Sequence, residues 1–282
     1  MTTATAAADT VSPRLRSARA AATTAFGAML MRDIQVLRRT FWAFAIRTIM
    51  QPLLLLFVFT YVFPRIGQAI GGTGGGAADF STMLVSGVVA TAMIFQGVQA
   101  VALPLVQEFG YTREIEDRVM APLPVWAVAV EKIASGALQG LIAAAVVFPL
   151  ALFIPASPVH LIIRWDYLVT IAPIAAWVGA SLGLVMGTQI DPRQVSLLFS
   201  IMILPMTFLG AIYYPWARLS PIPWLKDFVL INPLVYMSEG FRLALTSGVP
   251  HMPVIAIYGA LIAFAAFMTW WGIQGFRKRV LA

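Results

Sequence analysis

Residues 80–106 read FSTMLVSGVVATAMIFQGVQAVALPLV, and none of these 27 residues is charged. About 20 apolar residues in a helix cross the hydrocarbon core of a bilayer, which is about 30 Å thick. The run therefore predicts a transmembrane helix. Five further apolar runs predict five more spans, over residues 47–63, 126–153, 166–188, 195–214 and 254–276.

The overall composition agrees with a membrane protein. Of the 282 residues, 60% are hydrophobic and only 11% are charged, whereas roughly a quarter are charged in an average soluble protein. So few charges could not cover the surface of a soluble fold of this size. We therefore predict an all-α integral membrane fold with six transmembrane helices, in a single domain over residues 24–282.

Composition and motifs argue against several other classes of site. The net charge of +7 comes from basic residues between the apolar runs, and no long basic stretch interleaved with aromatics suggests nucleic acid binding. Cysteine is absent, and His160 and His251 are isolated, so no disulfide or metal site is expected. No Lys-Ser or Lys-Thr follows the glycine-rich run at 71–76, which we interpret as a flexible loop rather than a phosphate-binding loop.

The segment before the first span has two parts. Residues 1–23 are rich in Ala and Thr and predict a disordered cytoplasmic tail. Residues 24–42 predict an amphipathic interfacial helix on an anionic inner leaflet, although they could simply lead into the first span. Its apolar arc contains Phe26, Met29, Leu30, Ile34, Leu37 and Phe41, and Arg32, Arg38 and Arg39 lie opposite. Asp33 falls inside the apolar arc, so a polar partner is expected for it.

The most highly charged segment lies between spans two and three. It contains Glu108, Arg113, Glu114, Glu116, Asp117 and Arg118, and Pro122 and Pro124 close it. Glu114 and Arg118 are four residues apart, in the favourable order for a helical ion pair, and the prolines end a helix there. The pattern predicts a short polar helix between two spans.

Residues 215–252 are too polar to span a membrane and too apolar for an ordinary loop. Asn232 and Pro233 are typical of a helix N-cap and first helical position, and Gly248 of a C-terminal cap. The segment predicts a helical hairpin that enters the membrane face without crossing it. Glu239 and Arg242, three residues apart, are interpreted either as a structural pair or as a gate near the outer mouth.

The distribution of Lys and Arg predicts the topology. With the N-terminus inside, 14 of the 19 Lys and Arg residues lie on the cytoplasmic side, and such an excess marks the inner face. Both termini and residues 107–121 are then cytoplasmic, and residues 215–252 face outward.

The predicted spans show no source of energy for transport. A pump driven by an ion gradient needs ionisable groups at membrane depth, whereas the charges here lie at span ends, at Arg47, Glu131, Lys132, Asp166 and Asp191. There is also no GxxxxGK[ST] nucleotide loop. A chain of this kind that transports uphill must take its energy from a partner, which could press on the charged cytoplasmic helix.

Together these features resemble the membrane subunits of type-2 ABC exporters, which include permeases for daunorubicin-like drugs, nodulation factors and lipid-linked polysaccharides. The interfacial helix and the charged helix with its Pro-Leu turn are similar to parts of that family. The most specific likeness is the order of residues from 204 to 243: Pro205, Gly210, Tyr214-Pro215, Pro223-Trp224, Asn232-Pro233-Leu234, Tyr236, Glu239 and Arg242. The resemblance covers nearly the whole chain after residue 24.

The resemblance implies that two six-span subunits pair, as identical or related chains, and that each docks on a cytoplasmic ABC ATPase through a coupling helix at 107–121. ATP and Mg²⁺ would bind to that ATPase, and no cofactor, metal or catalytic residue is expected on this chain. The docking candidates are Glu108, Tyr111, Arg113, Glu114, Glu116, Asp117 and Arg118. The candidates in the external hairpin or gate are Tyr214, Pro215, Asn232, Pro233, Tyr236, Glu239 and Arg242. Glu114 and Arg118 could instead be only a solvated helical pair.

The expected function is that of an exporter permease in the plasma (inner) membrane, moving a hydrophobic or amphipathic drug, lipid or lipid-linked glycan out of the cytoplasm. The alternative is a membrane-embedded enzyme or assembly scaffold that acts on lipids. The alternative predicts activity without nucleotide, whereas the permease requires ATP and its ATPase.

Overall fold

The computed structural model describes residues 18–66, 77–112, 123–155, 159–190 and 194–280, and all regular secondary structure in these ranges is helical. The helices are α1 (Ala18–Arg39), α2 (Phe41–Leu56, continued through π-helical Phe57–Val62 to Arg65), α3 (Ala77–Gln107, followed by π-helical Glu108–Thr112), α4 (Val125–Phe153), α5 (Trp165–Gln189), α6 (Val195–Phe208), α7 (Pro223–Phe228), α8 (Pro233–Leu245) and α9 (Val254–Val280). Short 3₁₀ turns at Trp216–Leu219 and Val229–Ile231 flank α7.

Five of these helices, α2, α3, α4, α5 and α9, are long and apolar enough to cross a membrane. With the bent pair formed by Pro223–Ile231 and Pro233–Leu245, the number of candidate spans rises to six. The prediction of an all-α integral membrane protein is confirmed. The chain is a multi-pass membrane protein.

Helix α3, which contains the uncharged run 80–106, lies at the centre of the bundle. It is almost wholly buried from Ser81 to Val98 and packs mainly against α4 and α5. Small residues allow the close approach, since a Cβ on Gly183 would lie 2.7 Å from the carbonyl oxygen of Val98. Because lipid tails are as apolar as the helix surfaces, the hydrophobic effect contributes little to helix association in a membrane, and close van der Waals packing of this kind stabilises the bundle instead.

The predicted fifth span, residues 195–214, is wrong in its last six residues. Helix α6 has 14 residues and ends at Phe208, so it is about 21 Å long and too short to cross a bilayer alone. The chain leaves the helix at Leu209, and Ala211 adopts a positive φ of 53°. The side-chain NH₂ group of Asn232 donates to the carbonyl oxygen of Met206 at 2.9 Å, which stabilises this early helix end.

The segment from Pro223 to Leu245 lies within the predicted hairpin, and the chain bends by 96° at Asn232 before α8 begins. Gly240 of α8 packs against Ile257, and the Tyr236 ring lies 5.9 Å from that of Phe264. Phe264 is seven residues further along α9 than Ile257, or about 10 Å. Helix α8 therefore runs antiparallel to α9, and its first turn lies further along the bundle from the start of α9 than its last turn does, an arrangement that agrees with the predicted hairpin.

The caps of α8 agree only in part with the prediction. The Asn232 side chain accepts a hydrogen bond from the Leu234 amide at 3.0 Å, and Pro233 takes the first helical position, so the predicted N-cap is confirmed. The predicted C-cap at Gly248 is wrong. Helix α8 ends at Leu245 with extended Thr246 as its C-cap, and Gly248, with φ of 78°, belongs to the following turn.

The segment before the first span also differs from prediction. Helix α1 starts at Ala18, six residues before the predicted start, and packs against α4. Helix α2 starts at Phe41, six residues before the predicted span. Residues 1–17 of the predicted tail, the glycine-rich run at 71–76 and residues 113–122 lie outside the described part of the chain.

Candidate functional site

The structure places charged groups at both ends of the bundle. We call the end that carries Glu108, Lys132 and Arg279 the charged end, and the end that carries residues 215–252 the hairpin end. The residues predicted from the sequence fall on both ends. They therefore form two separate sites.

At the hairpin end, Glu239 and Arg242 form an ion pair whose side chains are both 0% exposed. Their N–O distance is 2.5 Å, and Arg242 also donates to the carbonyl oxygen of Ala211 at 2.8 Å. Removing two charges from water is costly, so such a pair persists only where good geometry and further hydrogen bonds compensate. The bond to Ala211 and the bonds to the Glu239 carboxylate supply most of that compensation, and among the described residues only the Arg242 Nε of this pair lacks a partner.

The Glu239 carboxylate binds two further segments. Its Oε1 accepts from the Trp216 amide and its Oε2 from the Met252 amide, each at 2.8 Å. Together with the Arg242 bond to Ala211, the pair joins the turn after α6, the start of the hairpin and the connection to α9. The pair thus fixes the hairpin on the bundle.

The other hairpin candidates divide into two groups. Pro215 is buried beside the ion pair, next to Trp216, and the Tyr214 hydroxyl donates to the carbonyl oxygen of Phe208 at 3.0 Å. Asn232, Pro233 and Tyr236 lie instead at the start of α8. The structure therefore brings Pro215, Glu239 and Arg242 to one place, whereas the Tyr214 hydroxyl and the Asn232 side chain both bind the end of α6.

At the charged end, Lys132 donates to Glu108 at 2.7 Å, and the two side chains are only 5% and 7% exposed. Glu108 follows α3 directly and Lys132 lies two turns into α4, so the pair bridges the two helices that the charged segment connects. This pair was not predicted from the sequence. The available signal was opposite charges near facing ends of successive spans.

A second contact holds the same segment from the other side. Arg279 of α9 donates to the carbonyl oxygens of Gly187 and Ile190 at 3.2 and 2.7 Å, at the end of α5. Its guanidinium lies 5.5 Å from the centre of the Phe109 ring, and Phe276 packs edge-on against that ring at 5.8 Å. In the sequence, Arg279 indicated only the topology of the chain.

Of the docking candidates, only two lie in the described residues. Glu108 is buried in the pair with Lys132, and Tyr111 lies in the π-helical segment after α3. The remaining candidates, Arg113, Glu114, Glu116, Asp117 and Arg118, lie outside the described part of the chain. The structure thus defines the base of the charged segment on both sides, at α3 and at α4.

Comparison with known families agrees with this architecture. The family model described as ABC-2 type transporter matches residues 24–246, which is most of the chain. This chain belongs to the ABC-2 type transporter family. It is a membrane subunit for transport, and the resemblance noted in the sequence is confirmed.

Curated relatives of this ABC-2 family protein are membrane permeases. The chain is 26% identical over 235 residues to the inner membrane transport permease YadH of Escherichia coli strain K12, which covers 81% of this chain and 87% of that protein. The proteins of the same name from Escherichia coli O157:H7 and Shigella flexneri match with the same identity and coverage.

A polar cavity of about 480 Å³ opens at the charged end of this ABC-2 subunit, between α1, α2, α3 and α4. Its charged lining consists of Arg32, Asp33, Arg47, Glu108 and Lys132. Asp33, which interrupts the apolar arc of α1, therefore faces a polar cavity. The amides of Gln99, Gln107 and Gln139 complete the polar lining.

Proposed function

We propose that this protein is the membrane half of an ATP-driven exporter, powered by a separate cytoplasmic ABC ATPase that binds ATP and Mg²⁺. The observation that carries the proposal is the set of contacts that hold the start of residues 107–121 on the bundle of this ABC-2 family member: the Glu108–Lys132 ion pair, and the packing of Phe109 against Phe276 and Arg279. A segment that only connected two spans would not need a buried ion pair on one side and a clamped aromatic ring on the other.

These contacts suggest how force enters the bundle. When the ATPases close on nucleotide, they would push on residues 107–121. The Glu108–Lys132 pair would pass this displacement to α4, and Phe109 would pass it through Phe276 and Arg279 to α9 and α5. Packed elements of this kind have discrete arrangements and therefore move as units.

The charged end faces the cytoplasm in this proposal, and both termini lie there. The excess of Lys and Arg at this end supports that orientation. A bacterial inner membrane is the proposed location, because the curated relatives are named inner membrane permeases.

The proposed substrate is hydrophobic or amphipathic, and two permease subunits pair to form its path. Apolar grooves on the described surface support an apolar ligand: one of about 710 Å³ between α5 and α9, and one of about 490 Å³ beside α2 and α6. Helix α6 supports pairing, because Ile201, Leu204 and Phe208 are exposed on it.

The docking assignment predicts the effect of replacing both Glu114 and Arg118 with glutamine. We expect binding of the partner ATPase to weaken at least about tenfold, since charge-assisted contacts contribute about 1.5–3 kcal/mol each. Co-purification and permease-stimulated ATP hydrolysis would both measure it. The matched control is Arg218→Gln, an exposed arginine at the hairpin end. Unchanged complex formation and ATP hydrolysis in the double variant would contradict the assignment.

A further inference from the structure

We propose that the groove between α5 and α9 binds one anionic phospholipid of the bilayer, with an acyl chain in the groove and the phosphate on Arg277. The inference goes beyond the proposed function, because it concerns a resident lipid rather than the exported molecule. It leaves the groove beside α2 and α6 for the exported molecule.

The lining of the groove suits a hydrocarbon chain. The groove has a volume of about 710 Å³, contains no charged residue in its lining, and includes Ile174 of α5 and Ile262 and Ile273 of α9. The indole N–H of Trp177 donates to the Thr269 hydroxyl at 3.0 Å, so this polar group of the lining is already satisfied. The surface that remains is apolar and offers nothing to a polar ligand.

The groove also has the direction and length of an acyl chain. Helices α5 and α9 run parallel, because Thr170 bonds to Tyr258 and, further along both helices, Leu184 packs against Gly272. The groove therefore runs along the helices, which cross the membrane. From Ile262 to Ile273 the helix rises about 16 Å, and one leaflet contributes about half of a hydrocarbon core that is about 30 Å thick.

Arg277 stands where the groove meets the charged end. Ala266, Trp270 and Ile273 line the groove, and Arg277 continues their spacing of three or four residues, so all four share one face of α9. Long side chains on a helix point back toward its N-terminus, so the guanidinium is directed toward the turn of Ile273. Arg277 is exposed and forms no hydrogen bond or ion pair with the described residues. Phosphate oxygens are well suited to bind it.

The three consecutive basic residues at the end of α9 have different surroundings. Arg279 donates to the carbonyl oxygens of Gly187 and Ile190 at the end of α5, so it faces the bundle. Lys278 lies about 100° around the helix from Arg277, which takes it away from the groove. Of the three, Arg277 is therefore the one that adjoins the groove.

Two tryptophans support a headgroup at this level. Trp270 and Trp271 are 60% and 40% exposed, and tryptophan is enriched where a membrane meets water. Arg277 lies two turns further along α9, with its side chain directed back toward that layer. Basic sites between transmembrane helices bind anionic headgroups. An apolar groove that ends on a cation at this depth matches an anionic lipid, whereas the transmembrane helix of a partner needs no anion there.

The test is native mass spectrometry of the full-length permease, freed of co-purified lipid by detergent exchange. The probes are dioleoyl phosphatidylglycerol and dioleoyl phosphatidylcholine, which share their acyl chains and differ in headgroup charge. We expect the first phosphatidylglycerol to bind at least about tenfold more tightly than phosphatidylcholine, the contribution of one charge-assisted contact. Equal affinities for the two lipids would overturn the proposal.

Replacing the cation locates the headgroup. Arg277→Gln is expected to abolish the preference for phosphatidylglycerol, because the amide carries no charge. The matched control is Lys278→Gln, which removes the same charge from an exposed neighbour on another face of α9, and it should keep the preference. Equal losses in the two variants would show a general attraction to the basic end of α9 and would overturn the site.

Filling the groove locates the acyl chain. Ala266→Trp places a large ring in the groove and is expected to weaken the binding of both lipids. The matched control is Ala263→Trp, on the same helix but outside the groove lining, where binding should be unchanged. Both alanines are exposed, so neither substitution disturbs the interior of the bundle. Unchanged binding in Ala266→Trp would place the lipid elsewhere and contradict the proposal.

The same spectra separate this inference from other occupants and from the proposed function. They report the oligomeric state, and binding to the monomer but not to the dimer would mean that a second copy covers the groove, which overturns the inference. Binding requires neither ATP nor the ATPase. Its absence would therefore remove the lipid site and leave ATP-driven export standing.

Discussion

Replacing Glu239 with leucine is expected to lower the free energy of unfolding by about 3–5 kcal/mol, the cost of leaving a buried charge without its partner. The variant leaves the fully buried Arg242 guanidinium without its carboxylate. It also removes the acceptor for the Trp216 and Met252 amides. Chemical unfolding of the purified permease in mild detergent would measure the loss.

Two further variants show whether the pair acts as a unit. The double variant Glu239→Leu with Arg242→Met should be clearly more stable than Glu239→Leu alone, because it leaves no uncompensated charge. The matched control is Asp227→Leu, an exposed acid in the same hairpin, with an expected change within about 0.5 kcal/mol. If the loss of stability in the double variant equalled the sum of the losses in Glu239→Leu alone and in Arg242→Met alone, the structural role of the pair would be contradicted.

Replacing Lys132 with methionine is expected to have the second largest effect, because Glu108 loses the ammonium group that lies 2.7 Å from its carboxylate. Methionine retains most of the side-chain volume, so the loss reports the charge. We expect a decrease of about 3 kcal/mol in the free energy of unfolding and the loss of permease-stimulated ATP hydrolysis. Unfolding and ATPase assays on the assembled complex would measure the two effects.

Controls for Lys132 separate stability from coupling. Lys278→Met, at an exposed position of the same end, should change neither property. The double variant Glu108→Leu with Lys132→Met should regain most of the stability but not the ATPase stimulation, since the bridge between α3 and α4 remains absent. Full coupling in a stable double variant would show that the pair transmits nothing.

The sequence predicted those parts of the fold that depend on local composition. Uninterrupted apolar runs such as residues 80–106 become the long helices, since hydrophobicity and length decide whether a segment crosses lipid. Asn232, directly before Pro233, was also a local signal, because it correctly predicted the N-cap of α8. The fifth span was overestimated because hydropathy continues through residues 209–214, whereas the helix end there depends on Asn232, 26 residues away from Met206.

The candidate sites could be predicted only as separate residues. The spacing of Glu239 and Arg242 along one helix suggests their pairing, because residues three apart share a face. The contacts to Ala211, Trp216 and Met252 depend on how the chain returns to α8, which spacing does not encode. Arg47 was interpreted as a span-end charge, and its position between a polar cavity and an apolar groove emerges only when four helices pack.

The central proposal is that this ABC-2 permease exports an amphipathic substrate with energy from a separate ATPase. The most direct measurement is the movement of a fluorescent amphipathic dye in proteoliposomes that contain the permease and its partner ATPase. We predict movement only when the permease, the ATPase and Mg-ATP are all present. Dye movement by the permease alone, or chemical change of the lipids without nucleotide, would contradict the proposal.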